Sequence, residues 1–323
     1  MFEREERTSE QKNRIWKILF SVFLAVAVIG VTITCVQVYR QRQAENALES
    51  LAEGTSNAPG AEIPPETVQT QRTDPGADMQ QGSDDMQDTG TLPASPAGPA
   101  EDAYIRALLD KGVPIPEKEV DFADLQANVN GDIYAWIYIP DTKIDYPVLQ
   151  HPTDNYHYLN YNLDGSKGYP GCIYTEDYNA KDFSDPNTVI YGHNMKNGTM
   201  FAGLHRFEDS EYFEEHPYVY IYTEERLYVY EIFAAYESGN EHILYNNDFT
   251  DRDVFLKYLA KIFTDRTMNS NVRDEVEVAA GDRIITLSTC VANRADRRYL
   301  LQGVLLEEDS GTETAMGSAA NEG

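Results

Sequence analysis

The sequence predicts a mostly β domain, a barrel or a sandwich, with helices at its N-terminus and one late helix, set behind a single transmembrane helix and an acidic linker. Three observations lead there. Residues 18–38 form a charge-free apolar run. Residues 101–307 hold 31 of the 36 aromatic side chains of the 323-residue chain. Within that stretch, short β-branched and aromatic runs separated by turn residues outnumber segments of helical period.

Taken in chain order, residues 1–17 are a polar, charged N-terminus. The 21 residues from Ile18 to Val38 suffice to cross a hydrocarbon core of about 30 Å at about 1.5 Å per residue. Tyr39, Arg40, Gln41 and Arg42 follow directly, which is unlike a signal-peptide cleavage site. Lys12, Arg14 and Lys17 precede the span and Arg40 and Arg42 follow it, a narrow bias toward a cytoplasmic N-terminus with the remainder outside. Residues 39–100 read as a disordered acidic linker. From position 43 they contain no Phe, Tyr or Trp, 7 of the 15 prolines, and ten acidic side chains against Arg72. Such a segment cannot bury enough apolar surface to offset its ordering entropy. Residues 308–323 have the same character and read as a disordered tail.

The domain itself spans residues 101–307. Ala103–Lys111 and Asp121–Asn128 carry apolar residues at helical spacing, predicting two short helices. Strands are predicted over Ile133–Ile139, at Val148, and over Gly171–Thr175, Thr188–Tyr191, Tyr218–Tyr222, Leu227–Ala234, Arg283–Leu287 and Tyr299–Leu305. Asp251–Phe263 is the late helix, with Val254, Phe255, Tyr258, Leu259 and Ile262 on one side.

The formal net charge of −28 argues against a nucleic-acid-binding surface. Cys35, Cys172 and Cys290 show neither a disulfide framework nor zinc-ribbon spacing. Cys172, in Gly171-Cys172-Ile173-Tyr174, reads as core packing. Cys290 ends a strand-like run in which Ile284, Thr286, Ser288 and Cys290 share a face, and a polar segment with Arg294, Arg297 and Arg298 follows. Nearby cations favour the nucleophilic thiolate; a small hydrophobe at a barrel rim fits the same composition. His193 follows Gly192, which breaks a β-branched run, so the imidazole projects from a strand end. A thiol and an imidazole together supply a nucleophile and a general acid or base near neutral pH. His151, His157, His205, His216 and His242 read as surface or hydrogen-bonded histidines. Arg298, eight residues after Cys290, can reach the same rim if the two strands are antiparallel neighbours, and could donate to a developing oxyanion. Arg297 should then point the other way.

These residues carry a family resemblance. Thr286-Leu287-Ser288-Thr289-Cys290 resembles the TLxTC signature of sortases, Val189–Met195 resembles their histidine motif, and Arg298 matches the arginine heading the following strand. Class B sortases are the most similar, on Gly192–Phe201, Asn155–Gly165, the paired N-terminal helices and the late helix. The resemblance implies an eight-stranded β-barrel and a membrane-anchored surface transpeptidase of Gram-positive bacteria. Cys290 would attack a backbone carbonyl in the C-terminal sorting signal of a secreted protein, forming a thioacyl-enzyme. His193 would protonate the leaving amine and deprotonate the incoming one, and Arg298 would hold substrate and oxyanion. Asn194, Ser288 and Thr289 would support them. A peptidoglycan cross-bridge amine or a pilin lysine would resolve the intermediate, with no cofactor or metal. An idle sortase-fold binding module and a thiol protease transferring to water are the competing readings.

Overall fold

The computed structural model describes residues 2–56, 99–264 and 270–307. Helix α1 (Phe2–Ser56) contains the apolar run and is long and apolar enough to cross a membrane. It does not end at Val38: residues 39–56, expected to belong to a disordered linker, are helical. Gln, Arg, Ala, Glu and Leu, all good helix formers, dominate positions 40–49, and no Gly or Pro occurs after Val38 until Gly54. Leu48 is buried, and Lys118 Nζ donates to Thr55 Oγ1 at 2.5 Å, so the last turns of α1 rest on the folded domain. The rest of the expected linker, residues 57–98, and the expected tail, residues 308–323, lie outside the described residues.

The two short helices are α2 (Pro99–Asp110) and α3 (Phe122–Asn128). Asp121 caps α3 by accepting the Asp124 N–H at 2.9 Å. Nine strands follow: β1 (Ile133–Tyr138), β2 (Asp145–Leu149), β3 (Ile173–Thr175), β4 (Asn187–Tyr191), β5 (Tyr218–Thr223), β6 (Leu227–Gly239), β7 (Asn271–Val272), β8 (Ile284–Val291) and β9 (Arg294–Leu305). Eight of them run in the order β5-β1-β2-β3-β4-β8-β9-β6, and a β5–β6 pairing closes the ring, making a barrel rather than a sandwich. The two-residue β7 pairs with β6 outside the ring. Two neighbouring pairs in the ring, β2–β3 and β4–β8, are parallel.

Period two sorts the strand residues between layers. Ile137, Val148, Ile190, Ile221, Ile285, Leu287 and Leu301 fill one cluster in the barrel. Alternate residues such as Trp136, Tyr220 and Val229 pack with Tyr104, Leu108, Phe122 and Leu125 of α2 and α3. Phe255, Leu259 and Ile262 of α7 (Arg252–Thr264) cover Phe233, Ile284 and Val304. Strand β8 is therefore buried on both faces from Ile284 to Thr289. Its Thr286 hydroxyl donates to Asn187 Oδ1 at 2.9 Å and accepts from Gln302 Nε2 at 2.9 Å, while Gln302 also donates to Tyr258 OH at 2.6 Å. This network ties β4, β8, β9 and α7, and removing one member would leave buried groups unpaired at about 1–3 kcal/mol.

Several boundaries differ from the sequence expectation. The polar stretch after Cys290 is a tight hairpin instead of a loop: Ala292 and Asn293 turn the chain, with Asn293 at φ 61°, a left-handed conformation that asparagine tolerates. Strand β9 consequently begins at Arg294, four residues before Arg298, and β6 runs on to Gly239 to pair with it. The charged residues that obscure this pairing also support it, since Arg294 forms an ion pair with Glu237 of β6. The short elements α4 (His157–Asn160), the 3-10 helix Phe201–Glu208, α5 (Ser210–Glu215) and α6 (Ile243–Asn246) show no helical period in sequence because each is two or three turns at most. Caps fix some of them: Asp209 accepts the Tyr212 N–H at 2.9 Å, and His242 Nδ1 accepts the Tyr245 N–H at 3.0 Å.

Candidate active site

The parallel pairing of β4 with β8 places Tyr191 opposite Ser288. Two residues further along each chain stand His193 and Cys290, and both line one cavity although 97 positions separate them. The two segments remain joined beyond the strand end. The Gly192 N–H donates to Ser288 O at 3.2 Å, Thr289 Oγ1 donates to Gly192 O at 2.8 Å, and Asn194 Nδ2 donates to Cys290 O at 2.8 Å. Gly192 is required at this crossing, because a Cβ there would lie 2.5 Å from Ile173 Cδ1 and 2.6 Å from Phe201 Cγ.

On the other side of β8, the antiparallel hairpin pairs Cys290 directly with Arg298. Cys290 is the first residue of β8 to leave the core; Ser288 and Thr289 before it are buried. His193, Cys290 and Arg298 line one cavity of about 340 Å³, whose walls include Tyr174, Tyr191, Leu300 and the buried Ser288. Arg297 lines a different cavity, beside Lys257 and Lys261 of α7. The two cavities adjoin, sharing Gly239, Glu241, His242, Ile243 and Leu300.

The orientation of His193 follows from its contacts. Its Nε2 donates to Leu159 O at 2.8 Å, and the edge of the Tyr169 ring meets it at a centroid distance of 5.1 Å. With Nε2 engaged as a donor, Nδ1 is the nitrogen left for proton transfer. Arg298 Nη1 donates to Ala295 O at 3.1 Å and Arg297 O at 2.9 Å, fixing the guanidinium on the hairpin it grows from. Cys172 is remote in character: it is buried, its thiol donates to Tyr161 O at 3.4 Å, and burial pushes its pKa up. It forms no bridge with Cys290, both being free thiols.

Two polar residues at the cavity, Glu176 and His242, are not among the site residues expected from the sequence. His242, expected to be a surface or hydrogen-bonded histidine, is hydrogen-bonded at both ring nitrogens: its Nδ1 caps α6, so its Nε2–H faces Glu176 Oε2, 2.7 Å away. Both line the cavity that holds Cys290. Burial pushes the Glu176 carboxyl above its ordinary pKa, with His242 opposing that shift. His205 likewise lies at the back of the site, its Nε2 3.1 Å from Cys290 O. No spacing in the chain signals either contact, since each joins segments about 66–85 residues apart.

The sortase-domain family model matches residues 137–306, more than half of the chain. The chain belongs to the sortase family. Among curated relatives, sortase B of Listeria monocytogenes is 38% identical over 188 residues, covering 58% of this chain and 74% of that protein. Sortase B of Staphylococcus aureus is 30% identical over 162 residues, covering 50% and 64%. Among solved structures, sortase B of Clostridium perfringens is similar with a TM-score of 0.52 and 31% identity, over 58% of this chain and 100% of that one. The S. aureus sortase B–substrate complex is similar with a TM-score of 0.51 and 26% identity, over 58% and 84%. This protein is a class B-like sortase, and hence a transpeptidase.

Proposed function

We propose that this sortase is a membrane-anchored cysteine transpeptidase whose working residues are Cys290, His193 and Arg298. The observation that carries the reading is the convergence of these three side chains on one cavity, with Cys290 at the point where β8 leaves the core. The Cys290 thiolate attacks a peptide carbonyl, and the oxyanion formed accepts hydrogen bonds from Arg298. Collapse breaks the C–N bond; the leaving amine takes a proton from His193 Nδ1, and a thioester on Cys290 remains. An incoming amine then loses a proton to His193 Nδ1 and attacks the thioester, which forms a new amide and returns the thiolate. Asn194, Ser288 and Thr289 hold the two chain segments at the required separation.

The substrates of this reading are C-terminal sorting signals of secreted proteins, and the acceptor is a cell-wall cross-bridge amine or a pilin lysine. The similar sortase B solved with its substrate supports a peptide-binding role for the cavity. Helix α1 would anchor the enzyme by a single pass, with the N-terminus cytoplasmic and the barrel on the outer face of a Gram-positive membrane. In the test, the full chain in detergent is incubated with quenched peptides of the NPxTN, LPxTG and PPxTG types, with and without amine acceptors. Cleavage of at least one peptide, amine adducts among the products and loss of both in Cys290→Ala are expected. Cleavage that survives Cys290→Ala would overturn the mechanism, and products of water transfer alone would make the enzyme a protease.

A further inference from the structure

The backbone carbonyl of Cys290 is contacted by two side chains at once. Asn194 Nδ2 donates to it at 2.8 Å, and His205 Nε2 lies 3.1 Å from it. Asn194 Nδ2 is also 2.9 Å from His205 Nε2, and His205 Nδ1 is 2.6 Å from Glu208 Oε1. The four residues come from the loop after β4, the 3-10 helix Phe201–Glu208 and the end of β8, where the β8–β9 register shifts between Cys290 and Val291.

The Glu208 carboxylate decides where the protons of this cluster sit. An ionised carboxylate can only accept, so the His205 proton sits on Nδ1, facing Glu208. In the neutral ring Nε2 is then an acceptor. One hydrogen of the Asn194 amide goes to it and the other to Cys290 O. A proton on Nε2 would face the N–H of Asn194. Rotating that amide would bring its oxygen against the Cys290 carbonyl oxygen instead. The neutral Nδ1–H ring therefore pairs Glu208 and both Asn194 N–H groups, and leaves the 3.1 Å approach of Nε2 to Cys290 O as two acceptors bridged by the Asn194 amide.

We infer that Glu208, His205 and Asn194 form a positioning relay that holds the carbonyl of Cys290 and, through it, the aim of the thiol into the cavity. None of the three touches the reacting atoms. Asn194 adjoins His193 in the chain, so the relay fixes the acid–base residue's neighbour and the nucleophile's backbone with the same amide. The His205 ring also packs on Tyr299, at a centroid distance of 4.9 Å, next to Arg298 on β9. The ring thus touches the segments carrying all three working residues. This inference rests on Cys290 being the nucleophile.

The test uses the full chain in detergent and a quenched peptide that the wild type cleaves. His205→Ala and Asn194→Ala are each expected to lower kcat about 10- to 100-fold with KM within about twofold, as for misplacement of a reacting group. His205→Gln, whose amide oxygen can still accept from Asn194, should recover to within about threefold of wild type. Because the residues act as one unit, Asn194→Ala combined with His205→Ala should be no slower than the worse single variant by more than about twofold. Multiplying losses, a rise in KM at unchanged kcat, or His205→Ala within twofold of wild type would overturn the relay. If His205→Ala proves unfolded by circular dichroism, His205→Gln and Glu208→Ala decide: a Glu208→Ala enzyme with unchanged kcat, or a His205→Gln enzyme as slow as Asn194→Ala, overturns it. Cleavage surviving in Cys290→Ala would sink the nucleophile assignment itself, an outcome distinct from any of these.

Discussion

Strand β8 receives its two neighbours in opposite ways. On one side, β9 returns through the two-residue turn Ala292–Asn293, and the antiparallel register delivers Arg298 to Cys290 from eight residues away. On the other, β4 lies parallel, so no short connection is possible. There the register Tyr191–Ser288 must be set by side chains and packing, and beyond it His193 and Cys290, 97 positions apart, line one cavity. The hairpin side is held by local geometry. The parallel side is held by a glycine with no room for a Cβ, three hydrogen bonds beyond the strand end and the buried Thr286–Asn187 contact. A site built this way should be robust to changes in the turn and sensitive to small changes along the β4–β8 seam.

The largest expected effect breaks the hairpin side of the contrast. Arg298→Ala should lower kcat/KM about 10²–10³-fold, the scale of losing an oxyanion donor. Arg297→Ala, which lines the adjoining cavity and not the one that holds Cys290, should stay within about threefold. Equal losses in peptide-cleavage assays would mean that strand alternation does not choose between them. Next comes the parallel seam. Gly192→Ala forces a methyl into Ile173 and Phe201, and should cost about 1–3 kcal/mol of stability and roughly 100-fold in activity by displacing His193. Kinetics paired with a thermal melt check both numbers.

Smaller still, Thr286→Val keeps the shape but strands Asn187 Oδ1 and a Gln302 donor. A loss of about 1–3 kcal/mol with kcat nearly unchanged is expected in denaturant titration, and a large fall in kcat would give Thr286 a role beyond the network. The smallest effect concerns the cavity wall. Because burial raises the Glu176 carboxyl, its favourable contribution is complete below the unfolded value of about 4.3 and is lost as pH rises through the folded value. The melting temperature of wild type minus that of Glu176→Gln should therefore decrease as pH is raised from about 4 to neutrality. A difference that grows with pH would show that the His242 pairing outweighs burial.

The same contrast explains what could be read in the chain. Strand cores such as Ile133–Tyr138 and Tyr218–Thr223 were legible because period-two burial is written in their side chains, and α7 because its apolar face repeats with helical period. The barrel's eight-strand closure came from family resemblance, since periodicity alone also allowed a sandwich. The placement of Arg298 beside Cys290 followed from the proximity of two antiparallel strand ends. His193 could be nominated by its residue type and by Gly192, but its partner strand could not, because parallel register leaves no mark at either end. His242 and His205 read as surface or hydrogen-bonded histidines, but the sequence does not name their partners: Glu176 and the Cys290 carbonyl are neighbours only after the barrel closes. The helical continuation of α1 to Ser56 was obscured by an acidic, aromatic-free composition that suits a solvated helix as well as a disordered chain.

The thiol at the end of β8 is, on this reading, the nucleophile of the sortase. Intact-mass spectrometry of the full chain, quenched in acid during turnover of a cleavable sorting-signal peptide without amine acceptor, tests it most directly. An adduct with the mass of the N-terminal peptide fragment is expected, mapped to Cys290, discharged by added amine and missing in Cys290→Ala. Steady cleavage with no adduct at Cys290, or an adduct that persists in Cys290→Ala, would contradict it.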